Sequence, residues 1–175
     1  HLGFKYKIAK LLVFNKLKKL MGGRIRFFIS GGAPLVRDLA EFFFAADILI
    51  LEGYGLTETA PVIAVNAPEQ FRFGTVGHPL PGVDVKIAED GEILIKGENV
   101  MLGYWNLEEE TKNVIRDGWL HTGDIGEIDQ NNYLKITDRK KDIIVNLGGD
   151  NISPSKIENI LCLNEFIKQS FVYGD

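Results

Sequence analysis

The sequence predicts an α/β core, then antiparallel β, then the start of a small α+β domain. Three observations carry that reading. Strand, helix and strand follow one another between residues 25 and 51, with glycines at both strand ends. Two hairpin signals, Asp90-Gly91 and Asn131-Asn132, lie between short strand-like runs. A charge run, Asp138-Arg-Lys-Lys-Asp142, then precedes a short apolar strand and a well-capped helix. The expected domain boundary separates residues 1–138 from residues 139–175.

The elements follow in order. Phe4, Ile8, Leu11, Phe14, Leu17 and Met21 recur at helical spacing, so residues 1–21 read as an amphipathic helix that Gly22-Gly23 stops. Ile25–Ser30 reads as a buried strand with Gly31-Gly32 at its carboxyl end. Pro34–Ala46 reads as a helix with Leu35, Leu39, Phe42 and Phe43 inward. Ile48–Leu51 is a second apolar strand, followed by Gly53-Tyr54-Gly55. Parallel strands in this order gather ligands at their carboxyl ends. After Pro61 the pattern turns antiparallel. Val83–Ile87 pairs with Glu92–Ile95, and Glu127–Asp129 with Tyr133–Ile136. Between these hairpins Asn106 and Glu109 suggest a capping box for a helix reaching Ile115. The charge run at 138–142 reads as a linker. Ile143–Leu147 follows as a strand, Gly148-Gly149 as a turn, Ser153 as N-cap and Pro154 as first helical residue. Residues 165–173 are expected to begin another strand.

Composition narrows the function classes. Hydrophobic residues make up 45% of the 175, enough to build a folded core. The single cysteine, Cys162, excludes an internal disulfide framework and points to a reducing, cytoplasmic setting. No run approaches the roughly 18 apolar residues of a membrane span, and no secretory signal is visible. The chain opens on His1 rather than Met, so a natural amino terminus is not expected there. Net charge is −4, yet residues 1–26 hold six Lys, two Arg and no acid. The acidic remainder argues against nucleic acid as a partner. The basic helix reads as a surface helix with solvated lysines. Peripheral contact with an anionic inner membrane surface is the alternative.

Three segments could carry chemistry. In Glu52-Gly-Tyr-Gly-Leu-Thr-Glu-Thr59, glycines allow close backbone approach to a ligand, and the aromatic can stack on a base. Thr57 can donate to a phosphate oxygen, and Glu58 can hold Mg²⁺, which prefers oxygen ligands. A plain glycine turn is the competing reading. In Gly118-Trp-Leu-His-Thr-Gly-Asp124, Asp124 can accept both hydroxyls of a ribose, or can simply end a turn. His121 has no partner nucleophile at a recognisable spacing, and no zinc-ligand spacing is present. Arg139, Lys140 and Lys141 can bind phosphate or ribose oxygens, or be a solvated linker.

Taken together, six collinear segments resemble the adenylate-forming (AMP-binding) superfamily of acyl-CoA synthetases, luciferases and adenylation domains. They are Ser30-Gly-Gly-Ala-Pro-Leu35, Tyr54-Gly-Leu-Thr-Glu-Thr59, Gly74-Thr-Val-Gly77, Trp119-Leu-His-Thr-Gly-Asp124, Asp138-Arg-Lys-Lys-Asp142 and Gly148-Gly-Asp-Asn-Ile-Ser-Pro154. The first and last look closest to the long-chain fatty acyl-CoA synthetase branch. The resemblance implies the end of a large amino-terminal domain, part parallel sheet and part barrel-like, with the start of a small mobile domain. It implies a ligase that uses ATP, Mg²⁺ and coenzyme A to activate a fatty acid as acyl-AMP and pass it to CoA. Another adenylate-forming ligase, aryl-CoA or amino-acid-activating, or a non-catalytic segment, are the alternatives. By position, Glu52, Gly53, Tyr54 and Gly55 would form the adenine site, with Gly53 and Tyr54 bracketing and stacking on the base. Thr57 would touch phosphate and Glu58 would bind Mg²⁺. Asp124 would take the ribose with Arg139 beside it. Gly31, Gly32 and Ala33 would line the boundary of the adenine and acyl pockets, and Gly77 would border the acyl site. Lys141 would be the hinge, and Gly148 and Gly149 would admit the pantetheine arm. The family's Ser/Thr/Gly-rich phosphate loop and its carboxyl-terminal lysine have no match here. The resemblance therefore implies a segment of the enzyme that makes no acyl-AMP alone.

Overall fold

The computed structural model describes residues 2–145, 148 and 151–174. The basic segment forms α1 (Leu2–Ala9), a π-helical stretch Lys10–Phe14, and α2 (Asn15–Leu20). Its stop is as expected: Gly22 and Gly23 take positive φ, and their N–H groups bond back to Lys19 and Lys18 carbonyls. The single apolar stripe is not obtained. Phe4, Ile8 and Leu11 are exposed, while Phe14, Leu17 and Met21 are half-buried. A π-helical stretch changes the period, so a face counted at 3.6 residues drifts out of line.

Strand β1 (Phe28–Ser30) is shorter than expected, and Ile25 and Ile29 are exposed rather than buried. Helix α3 (Arg37–Ala45) begins after Pro34, and its inward residues also differ. Ala40 is buried, whereas Leu39 and Phe42 are 45% and 56% exposed. Leu35 and Phe43 are half-buried, in keeping with the expected face, and the small Ala40 side chain lets the helix sit close to its sheet. Strand β2 (Ile50–Gly55) pairs parallel with β1. A 3₁₀ turn, Thr57–Thr59, leads to β3 (Val62–Val65) and, further on, β4 (His78–Pro79). The first sheet runs β1-β2-β3-β4, and parallel pairing is confined to β1 and β2.

The hairpin at Asp90-Gly91 forms as read, joining β5 (Val83–Ile87) to β6 (Glu92–Gly97). Helix α4 (Glu108–Val114) lacks the expected capping box. Asn106 is left-handed, and Leu107 occupies the cap position. The short β7 (Ile115–Arg116) pairs with β8 (Trp119–Ile128), a ten-residue strand containing the whole Trp119–Asp124 segment. Strand β9 (Leu134–Arg139) returns after Asn132, itself at positive φ. The second sheet is β5-β6-β8-β7, with β9 following β7 along the same edge of β8, opposite β6, at Asp124–Ile128.

The core lies between the two sheets. Tyr54, Ile63 and Ala64 of the first meet Ile93, Ile95, Leu120 and Leu134 of the second. Two glycines permit close approach of strands within the first sheet. A Cβ on Gly55 would lie 1.7 Å from the Pro61 carbonyl oxygen. Gly77, at φ +84°, would put one 2.2 Å from the Val65–Asn66 backbone. Beyond β9 come a 3₁₀ turn Lys140–Asp142, β10 (Ile144–Val145), β11 (Asn151–Ile152) and α5 (Pro154–Leu161). The Ser153 cap is as read, its hydroxyl accepting from Lys156 N–H. Residues 165–173 form no strand.

Candidate nucleotide site

The site is built where β8 and β9 pair. Asp124 stands opposite Arg139 in the ladder, so both side chains share one face. Arg139 Nε lies 3.2 Å from Asp124 Oδ1. The Tyr54 hydroxyl, 70 positions away in sequence, donates to Asp124 Oδ2 at 2.6 Å. Asp124 is 4% exposed and Tyr54 8%. Burial, then the bond to Asp124, pushes the Tyr54 hydroxyl far above its ordinary range, so it stays a donor at neutral pH. Three expected site residues from separate segments thus converge. The Tyr54 ring is also part of the inter-sheet core, and its hydroxyl is held on Asp124.

Beneath this pair lies a carboxylate to which sequence reasoning gave no role. Glu92, 5% exposed, accepts from Gly123 N–H at 2.9 Å, His121 Nδ1 at 3.0 Å and Lys140 Nζ at 2.9 Å. Burial opposes its charge and is the largest single influence. The Lys140, His121 and Gly123 donors outweigh it and hold the carboxyl below the usual range. Lys140 also bonds Asp90 at 2.7 Å, and these two carboxylates raise its pKa. The 139–142 run is thus partly bound rather than a freely solvated linker. The available signal was a charged residue opening the apolar Glu92–Ile95 run.

Glu58 sits on the 3₁₀ turn, half-buried, with Thr57 exposed beside it. The Tyr104 hydroxyl donates to Glu58 Oε1 at 2.7 Å, and this bond, with burial, pushes the phenol up to about 12. Thr59 builds the turn from within, its fully buried hydroxyl serving Leu56 and Pro61. Among the described residues no group of three or more His, Cys, Asp or Glu could hold a metal. One carboxylate is still in keeping with Mg²⁺, which commonly takes one or two and completes its shell with phosphates and waters.

Glu52 ties down the glycine loop after β1. Its Oε1 accepts from Leu35 N–H at 3.4 Å. Burial raises its pKa, and the Leu35 and Gly74 N–H groups offset part of that. Gly31 packs here, where a Cβ would sit 3.3 Å from the Gly53 carbonyl oxygen. Gly32 is left-handed, and Gly32 and Ala33 are exposed. Gly77 is buried in backbone contact with Val65 and Asn66, and its carbonyl accepts from Leu134 N–H. Lys141 lies apart from the Asp124 cluster. It lines a cavity of about 460 Å³ with Ile143, Ile144, Glu158, Phe171 and Tyr173. Gly148 is an exposed turn residue. Gly149 lies outside the described residues.

The fold class is that of adenylate-forming enzymes. The structure superposes on o-succinylbenzoate CoA synthetase (MenE) from Bacillus subtilis with its acyl-adenylate intermediate at a TM-score of 0.80 and 34% identity, over 86% of this chain and 33% of that one. The same enzyme with ATP and a magnesium ion gives 0.71 and 36%, over 78% and 31%. The chain belongs to the AMP-binding enzyme family, whose sequence pattern matches residues 5–105. It is 43% identical over 171 residues to the long-chain-fatty-acid–CoA ligase FadD15 of Mycobacterium bovis, and 38% over 179 to long chain acyl-CoA synthetase 5 of Arabidopsis thaliana. These matches take in 98% and 94% of this chain but 28% and 27% of the relatives, so the chain spans about a quarter of their length.

Proposed function

We propose that the chain supplies the ribose and Mg²⁺ side of the ATP site in an ATP-dependent ligase that activates a long-chain fatty acid and passes it to coenzyme A. The observation that carries this is the convergence of Tyr54 and Arg139 on the Asp124 carboxylate. A nearly buried carboxylate with its geometry locked from two sides, beside the exposed Arg139, suits a pair of vicinal hydroxyls. The names of the relatives supply the substrate class.

In the reaction the fatty acid carboxylate oxygen attacks the α-phosphorus of ATP and pyrophosphate leaves. The CoA thiolate then attacks the acyl carbon and AMP leaves. Asp124 accepts from the ribose hydroxyls and so fixes the α-phosphorus relative to the incoming acid, a gain from positioning. Arg139 balances the Asp124 charge and stands beside the ribose. Glu58, oriented by Tyr104, takes the metal, and Thr57 donates to a phosphate oxygen. Mg²⁺, when bound, neutralises charge on the phosphates. Gly31, Gly32, Ala33 and Gly53 shape the wall between nucleotide and acid, and Gly77 borders the acid. The boundary at 138/139, with Lys141 as hinge, lets the following domain move between the two half-reactions, Gly148 and Gly149 admitting the pantetheine arm. The helical segment from Leu2 to Leu20 exposes Phe4, Leu11 and Leu12 among lysines, which supports peripheral contact with an anionic membrane. Among the described residues no helix is long and apolar enough to cross one.

Acid-dependent pyrophosphate release by the full-length protein, with palmitate, benzoate and amino acids in parallel, tests the reading. Release with palmitate and CoA thioester formation are expected. Release with benzoate alone would favour the aryl-CoA alternative, to which the MenE likeness lends weight. Asp124→Ala should weaken AMP binding about 10- to 100-fold, the loss of charge-assisted bonds to hydroxyls. Unchanged affinity would sink the ribose assignment.

A further inference from the structure

The two residues that meet in the Asp124–Arg139 pair are each adjacent in sequence to a residue held by one buried carboxylate. Glu92 Oε1 accepts from Gly123 N–H, and Glu92 Oε2 accepts from Lys140 Nζ and faces His121 Nδ1. The β6–β8 ladder slips between Glu92 and Leu94, and the Gly123 N–H is taken by the Glu92 side chain. Gly123 is itself left-handed at φ +70°, so the backbone turns sharply one residue before Asp124. Such a kink keeps its shape only where its amide has a fixed acceptor. Glu92 is that acceptor, and Asp90, one turn back in the hairpin, shares Lys140 with it.

We propose that Glu92 is a positioning residue for nucleotide binding, fixing Asp124 through Gly123 and Arg139 through Lys140. It touches no ligand. It sets the direction in which the Asp124 carboxylate is presented, with Lys140 closing the second side of the frame. The inference rests on the reading of Asp124 as the ribose acceptor.

Its test is a pair of ligands on the full-length protein, AMP and 2′,3′-dideoxy-AMP, by titration calorimetry. The wild-type protein should prefer AMP, and Asp124→Ala should remove that preference. If wild type binds both ligands equally, the ribose assignment fails, whatever Glu92 does. Given the preference, Glu92→Ala should weaken AMP about tenfold and leave dideoxy-AMP within about twofold. An equal loss for both ligands would mean general damage and would overturn the proposal, as would no loss for either. Glu92→Ala strips Gly123 N–H, His121 and Lys140 of their acceptor and is at risk of misfolding. Lys140→Met, on the exposed side, is the second variant. It should show the same AMP-selective loss at roughly a third of the size, and no selective loss would overturn the Lys140 half of the frame. Glu92→Gln keeps an acceptor for Gly123 N–H and should recover most of the AMP preference.

Discussion

Glu92 is kept charged in a nearly closed setting because every approach to its carboxylate ends in a donor. That makes its contribution to folding pH-dependent, and the sign follows from the depressed pKa. In the unfolded chain the carboxyl titrates near its ordinary value of about 4.3. A folded value below that means the unfolded state takes up its proton first. The stabilisation is full above the ordinary value and is lost as pH falls through the folded one. At neutral pH Glu92→Gln should cost about 1–3 kcal/mol, the worth of hydrogen bonds to a charged group. The wild-type advantage should shrink steadily as pH falls below about 4.3, because protonated Glu92 then resembles Gln. Urea midpoints for both proteins at several pH values between neutral and acid check this. A constant gap would place the effect in packing rather than in charge.

At the scale of elements, the glycines at tight crossings are more demanding than those in turns. Gly77 combines a left-handed backbone with 2.2 Å of clearance to the backbone of Val65 and Asn66. Gly77→Ala must pay for the left-handed conformation, about 1–2 kcal/mol, and also part β4 from β3. A destabilisation beyond about 2 kcal/mol is expected in equilibrium unfolding. Gly82→Ala is the control: it has a similar φ of +82° and open space around its Cβ. It should cost only the conformational part, and equal losses would show that crowding at Gly77 is relieved cheaply. Gly77 was noticed in the sequence as part of a motif, yet its contacts come from Asn66 and Leu134, which no local pattern announces. The same division runs through the fold. The Asp90-Gly91 turn, the Ser153–Pro154 cap and the Gly22-Gly23 stop rest on neighbours in sequence, and each was legible. The face of α3 was not, because apolar spacing alone does not tell Ala40 from Leu39 or Phe42 as the residue at the sheet. Asp124 and Arg139 were singled out by their motifs, and the structure brings the two together. Glu92 was missed because His121 and Lys140 reach it across 29 and 48 positions.

At the scale of the molecule, neither sheet has a complete interior of its own. Ile63 and Ala64 of the first sheet and Ile93, Ile95, Leu120 and Leu134 of the second bury the same surface from opposite sides. Backbone bonds also cross: Leu134 N–H donates to Gly77, and Val76 N–H donates to Leu134. The proposed nucleotide site inherits this arrangement, since Tyr54 comes from the first sheet and Asp124 from the second. Damage to the shared core should therefore spread across both sheets. Leu120 is 2% exposed and touches no site residue by hydrogen bond, which makes it a clean probe. Leu120→Ala should cost about 2–5 kcal/mol, the range for emptying a packed leucine site. Hydrogen exchange followed by mass spectrometry should show amides of β2 and β3 losing protection along with those of β6, β8 and β9. Loss confined to β6, β8 and β9 would mean that the sheets open separately. In that case the Tyr54–Asp124 bond would join two independently folding units, and the proposed nucleotide binding would have to draw them together rather than meet them already joined.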